Sequence, residues 1–404
     1  MFVHLLLLCS IVGLLSCTAF LILLAAAFVR LKRRSAIPSH TGTWPRVSLL
    51  KPLHGLEPGL EANLESFFRQ DYPAFELVFG CRQESDPALT VVEAVRHRHP
   101  RVPVKIVLSG EPEFPNAKVC SLERMAAEAA ADYLVISDSD VYVTPQYVRE
   151  VVRPLLQPQI GMVTCLYRGV PSGGLWSRLE ALGMSVEMTA GVVVADMLEG
   201  LRFALGPTMA IRRDVLEDVG GFETLADYCA DDFVLGQRVF EAGKQVVLSH
   251  YVVNHVALHQ RWVASLQHQV RWMKSTRFSR PKGHVGSGLT FAMPFGFLGL
   301  AAGFLMGDPL LGLALFLYAA LNRMAEALLA GWGVVRDPLS LHYFWLYPIR
   351  DLLGFFLWCG SFLSTTIVWR GERYELTLGG RMIRQTTPEE VAAASETIAV
   401  DELA

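Results

Sequence analysis

Asp132-Tyr-Leu-Val-Ile-Ser-Asp-Ser-Asp-Val-Tyr-Val143 is the stretch on which the fold turns. Tyr133 to Ile136 is a short apolar run of the kind that forms a strand buried on both faces. It runs directly into Ser137-Asp138-Ser139-Asp140. Residues two apart in an extended chain point the same way, so Asp138 and Asp140 are expected to present two carboxylates together at the carboxyl end of a buried strand. Open α/β sheets bind ligands at that end. Two adjacent carboxylates repel unless a cation neutralises them, and Mg²⁺ or Mn²⁺ sharing its shell with substrate phosphates meets that need. A solvated acidic turn is the competing reading of Asp-X-Asp alone.

Strand–helix alternation surrounds this stretch. Val47–Leu50, Phe75–Phe79 and Val102–Leu108 read as strands, and Leu60–Phe68, Asp86–His97 and Ala117–Ala130 as helices. Short connections between them predict a mostly parallel sheet with helices on both faces. Asp86-Pro87 also fits a helix N-cap followed by proline in the first turn. Later, Ile160–Leu166, Gly206–Arg213 and Val246–Leu248 read as strands. Ser177–Met197 reads as a surface or interface helix, because Arg178, Glu180, Glu187 and Asp196 interrupt it. A helix is expected to open at Ala230-Asp231-Asp232 and to close at Gly243.

The ends of the chain are apolar. Hydrophobic residues make up 52% of the 404 residues and charged ones 19%. Phe2 to Val29 is long enough to span a bilayer and is followed at once by Arg30, Lys32, Arg33 and Arg34. That order is the reverse of a signal peptide and predicts an uncleaved anchor with the next domain in the cytoplasm. His259–Thr276 is amphipathic and ends in Lys274, Arg277, Arg280 and Lys282, which suits an anionic membrane surface. Leu289–Met306, a second span from Leu310 through Arg323 and Glu326, and Asp351–Trp369 are expected to cross the membrane. Arg323 and Glu326 are spaced to pair on one helix face. Three such crossings put the tail outside, yet Arg370, Arg373, Arg381 and Arg384 favour the inside. The stretch after Thr386 reads as disordered. The organisation expected is an anchor (1–30), a linker (31–46), an α/β domain (47–255), an interface segment (256–288), a transmembrane region (289–370) and a tail (371–404). Seven scattered cysteines without a C-x-x-C pair argue against structural zinc and a disulfide scaffold. A net charge of −3 and no basic, aromatic-interleaved stretch give no support for a nucleic-acid partner.

These separated signals form an ordered set: Lys51-Pro52-Leu53, Asp86-Pro87, Asp138-Ser-Asp140, Ala230-Asp231-Asp232 and His268-Gln-Val-Arg271-Trp272. With Asn63-Leu-Glu-Ser-Phe-Phe, Asp71-Tyr-Pro and Trp369-Arg-Gly-Glu-Arg-Tyr, the set resembles the ceramide glucosyltransferase family from about Val47 to Arg381. Bacterial hopanoid-associated glycosyltransferases are similar as well. The resemblance implies a GT-A-type nucleotide-sugar-binding domain and an inverting transfer of one sugar from a UDP-sugar, UDP-glucose being expected, to a membrane lipid. It implies a divalent cation, Mg or Mn, and residence in a bacterial inner membrane. Carried across, Asp86 faces the nucleoside, Asp138 and Asp140 hold nucleotide and metal, and Asp232 is the catalytic base. Lys118 lies near the nucleotide, and His268, Gln269, Arg271 and Trp272 form the (Gln/Arg)-x-x-Arg-Trp signature that contacts substrate. His268 departs from that pattern, and Asp140 stands where animal enzymes carry glycine. A processive polysaccharide synthase, a UDP-GlcNAc-dependent hopanoid glycosyltransferase and a nucleotide-sugar binding protein without transfer activity are the alternatives.

Overall fold

The computed structural model describes residues 1–34, 40, 42–257, 262–369 and 371–385. The linker positions between these, His259, Arg261, Arg370 and the stretch after Thr386 lie outside the described residues.

Among the described residues, eight strands form one mixed sheet: β1 (Val47–Pro52), β2 (Phe75–Cys81), β3 (Val104–Leu108), β4 (Tyr133–Ile136), β5 (Val141–Tyr142), β6 (Ile160–Pro171), β7 (Met209–Arg212) and β8 (Gln245–Ala257). Their order is β3-β2-β1-β4-β7-β6-β8-β5. The β3-β2-β1-β4 half is wholly parallel. β7 then runs antiparallel to both β4 and β6, and β8 is parallel to β6. Chain order reverses between β1 and β4: after β1 the chain builds outward through β2 and β3, then returns to place β4 on the other side. Loops diverge at such a switch point and leave a crevice at the carboxyl ends of the strands. β1 and β4 end there in Lys51-Pro52 and Ser137-Asp138.

Local patterning accounts for this half. Leu49, Leu50, Leu134, Val135 and Ile136 are buried on the two faces of the central strands. The Leu60–Phe68 helix buries Leu60, Leu64, Phe67 and Phe68, the expected stripe. Polar residues inside the sheet are paired: Glu76 accepts hydrogen bonds from Ser48 Oγ at 2.6 Å and from the Ala130 amide at 2.7 Å.

Two elements differ from the sequence reading. β8 runs on past Leu248 to Ala257, because His250, Asn254 and His255, which break its apolar pattern, have polar partners or solvent. The helical stretch Gly174–Glu199 is mostly buried rather than lying at a surface. Its charges find partners on other elements: Glu180 with Ser265 and His268, Glu187 with Arg350, and Asp196 with Arg34.

Among the described residues, three helices are long and apolar enough to cross a membrane: Phe2–Arg33, Gly174–Glu199 and Pro309–Val334. Since Gly174–Glu199 is packed into the protein, the first and third are the candidates that face outward. Pro281–Thr290 and Ala292–Met306 pass the same test together, as a pair bent by 45°. Gly307 at φ 78° closes that helix, Asp308 caps the next by accepting from the Leu311 amide at 3.0 Å, and Pro309 follows. The two helices meet backbone to backbone at Gly303 and Gly312. Arg323 pairs with Glu326 as spaced, and also with Asp351 at 3.4 Å.

The expected span Asp351–Trp369 is absent. The Tyr347–Gly360 helix has 14 residues, about 21 Å long, too short for a hydrocarbon core of about 30 Å. The chain then turns, and the β-branched run Thr366–Trp369 is a strand. It is β9 of a separate antiparallel sheet with β10 (Glu372–Leu376) and β11 (Met382–Arg384). This sheet docks on the α/β domain: the Met382 amide donates to Asp227 O at 2.7 Å and the Cys229 amide to Gly380 O at 3.0 Å. Arg373, Arg381 and Arg384 therefore lie on the same side as the α/β domain, which removes the conflict between crossing number and tail charge.

Candidate functional site

The crevice at the ends of β1 and β4 gathers side chains from five parts of the chain. Asp138 and Asp140 leave β4 with 27% and 25% of their side chains accessible. Three cationic groups of the protein itself meet them. Lys118 Nζ lies 2.5 Å from Asp138 Oδ1 and 4.0 Å from Asp231 Oδ2. Lys51, fully buried at the end of β1, donates to the Asp138 carbonyl at 2.6 Å and sits 3.6 Å over the Phe67 ring. His255 Nε2, from the extension of β8, is 2.9 Å from Asp140 Oδ2.

Burial and charge pull these groups in opposite directions. Burial drags the Lys51 amine down to about 7, against the attraction of Asp138, Asp140 and Glu57. At Lys118 burial also works against the charge, but Asp138 and Asp231 outweigh it and hold the amine above its ordinary value. His255 is likewise raised, since Asp140 outweighs burial. The Asp140 carboxyl, which burial alone pushes up, is pulled below its usual range by His255.

Asp231 and Asp232 occupy the first turn of the Asp231–Glu241 helix, where the macrodipole favours carboxylates. Asn116 ties this turn to the Lys118 helix. Its side-chain oxygen caps that helix by accepting from the Lys118 and Val119 amides, and its Nδ2 donates to Tyr228 O at 2.8 Å. Asp232 Oδ2 accepts from the Gly206 amide at 2.6 Å and Oδ1 from the Phe233 amide at 2.8 Å. Burial first, and the neighbouring Asp231 second, push the Asp232 carboxyl up to about 6. A Cβ placed on Gly206 would lie 3.2 Å from Asp232 Oδ2 and 3.5 Å from Asp138 Oδ2. Two carboxylates far apart in sequence thus converge on one point beside a glycine backbone.

Asp86 stands at the same edge of the sheet, after β2, and its carboxylate is engaged by backbone amides. Its Oδ1 accepts from the Ala88 amide at 2.9 Å, capping the next helix, and from the Gly55 amide at 3.0 Å in the loop after β1. Glu57 of that loop accepts from Ser139 Oγ at 2.7 Å. The loop therefore links Asp86 to the Asp138–Asp140 turn.

The His268–Trp272 segment divides in two. His268 Nδ1 lies 3.0 Å from Glu180 Oε1, and Gln269 donates to Ser265 Oγ, which donates to Glu180. His268 is thus held by Glu180 of the Gly174–Glu199 helix and Gln269 by Ser265 of its own helix, rather than by Asp138 or Asp140. Trp272 packs against the His268 ring at 4.3 Å. Arg271 lies over Trp369 of β9 at 5.5 Å and reaches Cys229, two residues before Asp231.

Asp140 Oδ1 is buried without a hydrogen-bond partner among the described residues. With the Asp138 carboxylate it offers hard oxygen donors at one spot, the chemistry that suits Mg²⁺ or Mn²⁺. No group of three or more His, Cys, Asp or Glu among the described residues makes a complete metal shell.

Lys51 and Asp231, which the sequence shows only as parts of the Lys51-Pro52-Leu53 and Ala230-Asp231-Asp232 motifs, and His255 belong to this cluster without having been assigned a role from sequence. A lysine inside the apolar run Val47–Leu53 was the visible signal for the first. His255 gave none, because its strand was read as ending at Leu248.

A family model described as glycosyl transferase family 21 matches residues 10–382. The chain is 27% identical to ceramide glucosyltransferase 1 of Caenorhabditis elegans, over 87% of this chain and 76% of that protein. It is 22% identical to ceramide glucosyltransferase 3 of the same organism, over 84% and 74%. Among solved structures it is similar in fold to the mannosyltransferase PcManGT from Pyrobaculum calidifontis in complex with GDP-Man and Mn²⁺. The TM-score is 0.50 at 18% identity, covering 86% of this chain and 99% of that one.

Proposed function

The chain belongs to glycosyl transferase family 21, and we propose that it moves one sugar from a UDP-sugar, with UDP-glucose the expected donor, to a hydroxyl of a membrane lipid of ceramide or hopanoid type, inverting the anomeric centre. The observation that carries this reading is the convergence of Asp138 and Asp232 beside Gly206 in the switch-point crevice, with Lys118 between Asp138 and Asp231.

Inversion by single displacement needs one base, unlike the carboxylate pair of a glycosidase. Asp232 is that base. Two backbone amides fix its orientation, and a carboxyl raised to about 6 is ionised at neutral pH yet more basic than a free aspartate. It takes the proton of the acceptor hydroxyl as the oxygen attacks. Lys118, its amine held above the ordinary value, places positive charge beside Asp138 where the diphosphate is to leave, and Arg271 adds a guanidinium near Cys229, two residues before Asp231. Asp86 holds the loop after β1 in the shape that receives the nucleoside. Asp138 and Asp140 would hold a divalent cation, which supplies charge neutralisation to the departing diphosphate when bound. His268 and Gln269 orient the Gly174–Glu199 helix, and Trp272 closes the wall beside them. The outward-facing apolar helices keep this crevice at an inner-membrane surface, with the domain in the cytoplasm where UDP-sugars are found.

The test is turnover by the purified full chain in nanodiscs containing ceramide, supplied with UDP-glucose and Mg²⁺ or Mn²⁺. UDP release matched by a lipid carrying a single hexose supports the reading. Polymer on the acceptor would point to a processive synthase, and UDP-glucose binding without UDP release to a sugar-nucleotide binding protein.

A further inference from the structure

Glu187 and Arg350 form a pair that the chemistry above does not use. Glu187 lies in a π-helical turn, Met184–Met188, within the Gly174–Glu199 helix. Such turns inside α-helices are frequent at functional sites. Glu187 Oε2 accepts from Arg350 Nη2 at 2.9 Å, and 27% of the Glu187 side chain is accessible against 6% for Arg350. Arg350 Nε and Nη1 are buried with no partner among the described residues. A buried guanidinium normally spends its donors on acceptors, so two idle nitrogens call for a partner that arrives from outside. Glycines make the room: a Cβ on Gly183 would collide with the guanidinium, and one on Gly354 would stand 3.4 Å from both Arg350 Nη1 and Glu187 Oε2.

The pair stands between the crevice and the bilayer-facing helices. Tyr167 is within electrostatic reach of Glu187 and also of Asp138, Asp140 and Asp232. Glu180, two turns earlier on the same helix, is paired with His268 and lies within electrostatic reach of His255. Beside Glu187, Met188 is 36% exposed and Gly191 opens on free space. Arg350 itself comes from the Tyr347–Gly360 helix, which packs on the apolar Ala292–Met306 and Pro309–Glu326 helices.

We propose that Glu187 and Arg350 form the subsite for the polar head of the acceptor, selecting a lipid whose reacting hydroxyl is flanked by a second group able both to donate and to accept hydrogen bonds. The carboxylate accepts from the donor of that group and the guanidinium gives to its oxygen. The amide beside a ceramide hydroxyl and the neighbouring hydroxyl of a hopanoid polyol share this chemistry; a simple long-chain alcohol lacks it. This rests on the reading of the chain as a lipid glycosyltransferase.

The experiment uses the full chain in nanodiscs, wild type and Glu187→Gln, with ceramide, a hopanoid polyol and a 1-alkanol of matched length as acceptors. Ceramide binding without donor and UDP-glucose KM are measured alongside. Glu187→Gln is expected to raise KM for whichever flanked acceptor the enzyme prefers by about tenfold or more, leaving the alkanol KM and the UDP-glucose KM unchanged. Glu187→Asp, which keeps the charge, falls between. An unchanged ceramide and polyol KM, or an equal loss with the alkanol, overturns the proposal. If the wild type glycosylates no lipid, the functional reading fails; ceramide binding weakened tenfold in Glu187→Gln then still supports the subsite, and binding equal in both proteins overturns it.

Discussion

Asp232 has both carboxylate oxygens committed to backbone amides, so its position is set by the chain rather than by a neighbouring side chain. Its raised carboxyl fixes a pH dependence. The group must be ionised to take a proton, and it becomes protonated as pH falls through about 6. kcat/KM is therefore expected to fall tenfold per pH unit below about 6; a profile flat to well below that point would contradict the role. Gly206 supplies a second test. Its Cβ would enter the space shared by Asp138 and Asp232 at 3.2–3.5 Å from their oxygens. Gly206→Ala is expected to lower kcat about tenfold or more while shifting unfolding stability by less than about 1 kcal/mol, the scale of an ordinary glycine exchange. Loss of stability without loss of kcat would assign the glycine to packing alone. Asp138 and Asp140 were legible in sequence because they break an apolar strand at its end. Asp232 was legible only through the family's ordered motifs, since a carboxylate in the first turn of a helix is common. Lys51 is visible as a charge ending an apolar strand, whereas His255 lies beyond the apolar run Val246–Leu248 and gives no signal; the meeting of both with Asp138 and Asp140 depends on strand register.

The small β9-β10-β11 sheet is the element that most changes the reading of the chain. Hydropathy counts Thr366-Ile-Val-Trp369 as membrane-like, yet β-branched residues after a turn make a strand. The sheet buries Tyr374, Leu376 and Met382 and hydrogen-bonds to Asp227 and Cys229, the approach to the Asp231–Asp232 turn. Trp369 also lies under Arg271. It thus braces both the turn that carries the proposed base and Arg271. Trp369→Ala is expected to speed amide exchange in residues 227–232 and to lower kcat more than it weakens UDP-sugar binding, with a loss of ~0.5–2 kcal/mol from the cation–π contact. Unchanged exchange at 227–232 would reduce the sheet to a passive attachment. The parallel half of the main sheet was readable because period and helix stripe agree over short loops. The Gly174–Glu199 helix was misplaced because its charges looked solvated, while each is paired by a residue from a distant part of the chain.

At the scale of the whole molecule, the docked tail places the last described residues on the same side of the apolar helices as the α/β domain. The Phe2–Arg33 helix ends in Arg30, Lys32 and Arg33 next to the α/β domain, and Arg34 pairs with Asp196. The far end of that helix is Met1, and residues up to Gln385 return to the domain. Cysteine labelling in sealed vesicles is expected to find a thiol placed at position 385 on the same side as the α/β domain and one at position 2 on the opposite side. Both thiols on one side would show that the first helix does not cross. Transfer as proposed requires a lipid hydroxyl to lose its proton to Asp232 in a crevice that already holds the sugar nucleotide. The most direct measurement is therefore the Asp232→Asn full chain in nanodiscs, with UDP-glucose affinity and ceramide glucosylation determined on the same preparation. Affinity near that of the wild type with transfer reduced about 10²–10⁴-fold is the expected outcome. Transfer within a few-fold of the wild type would contradict it.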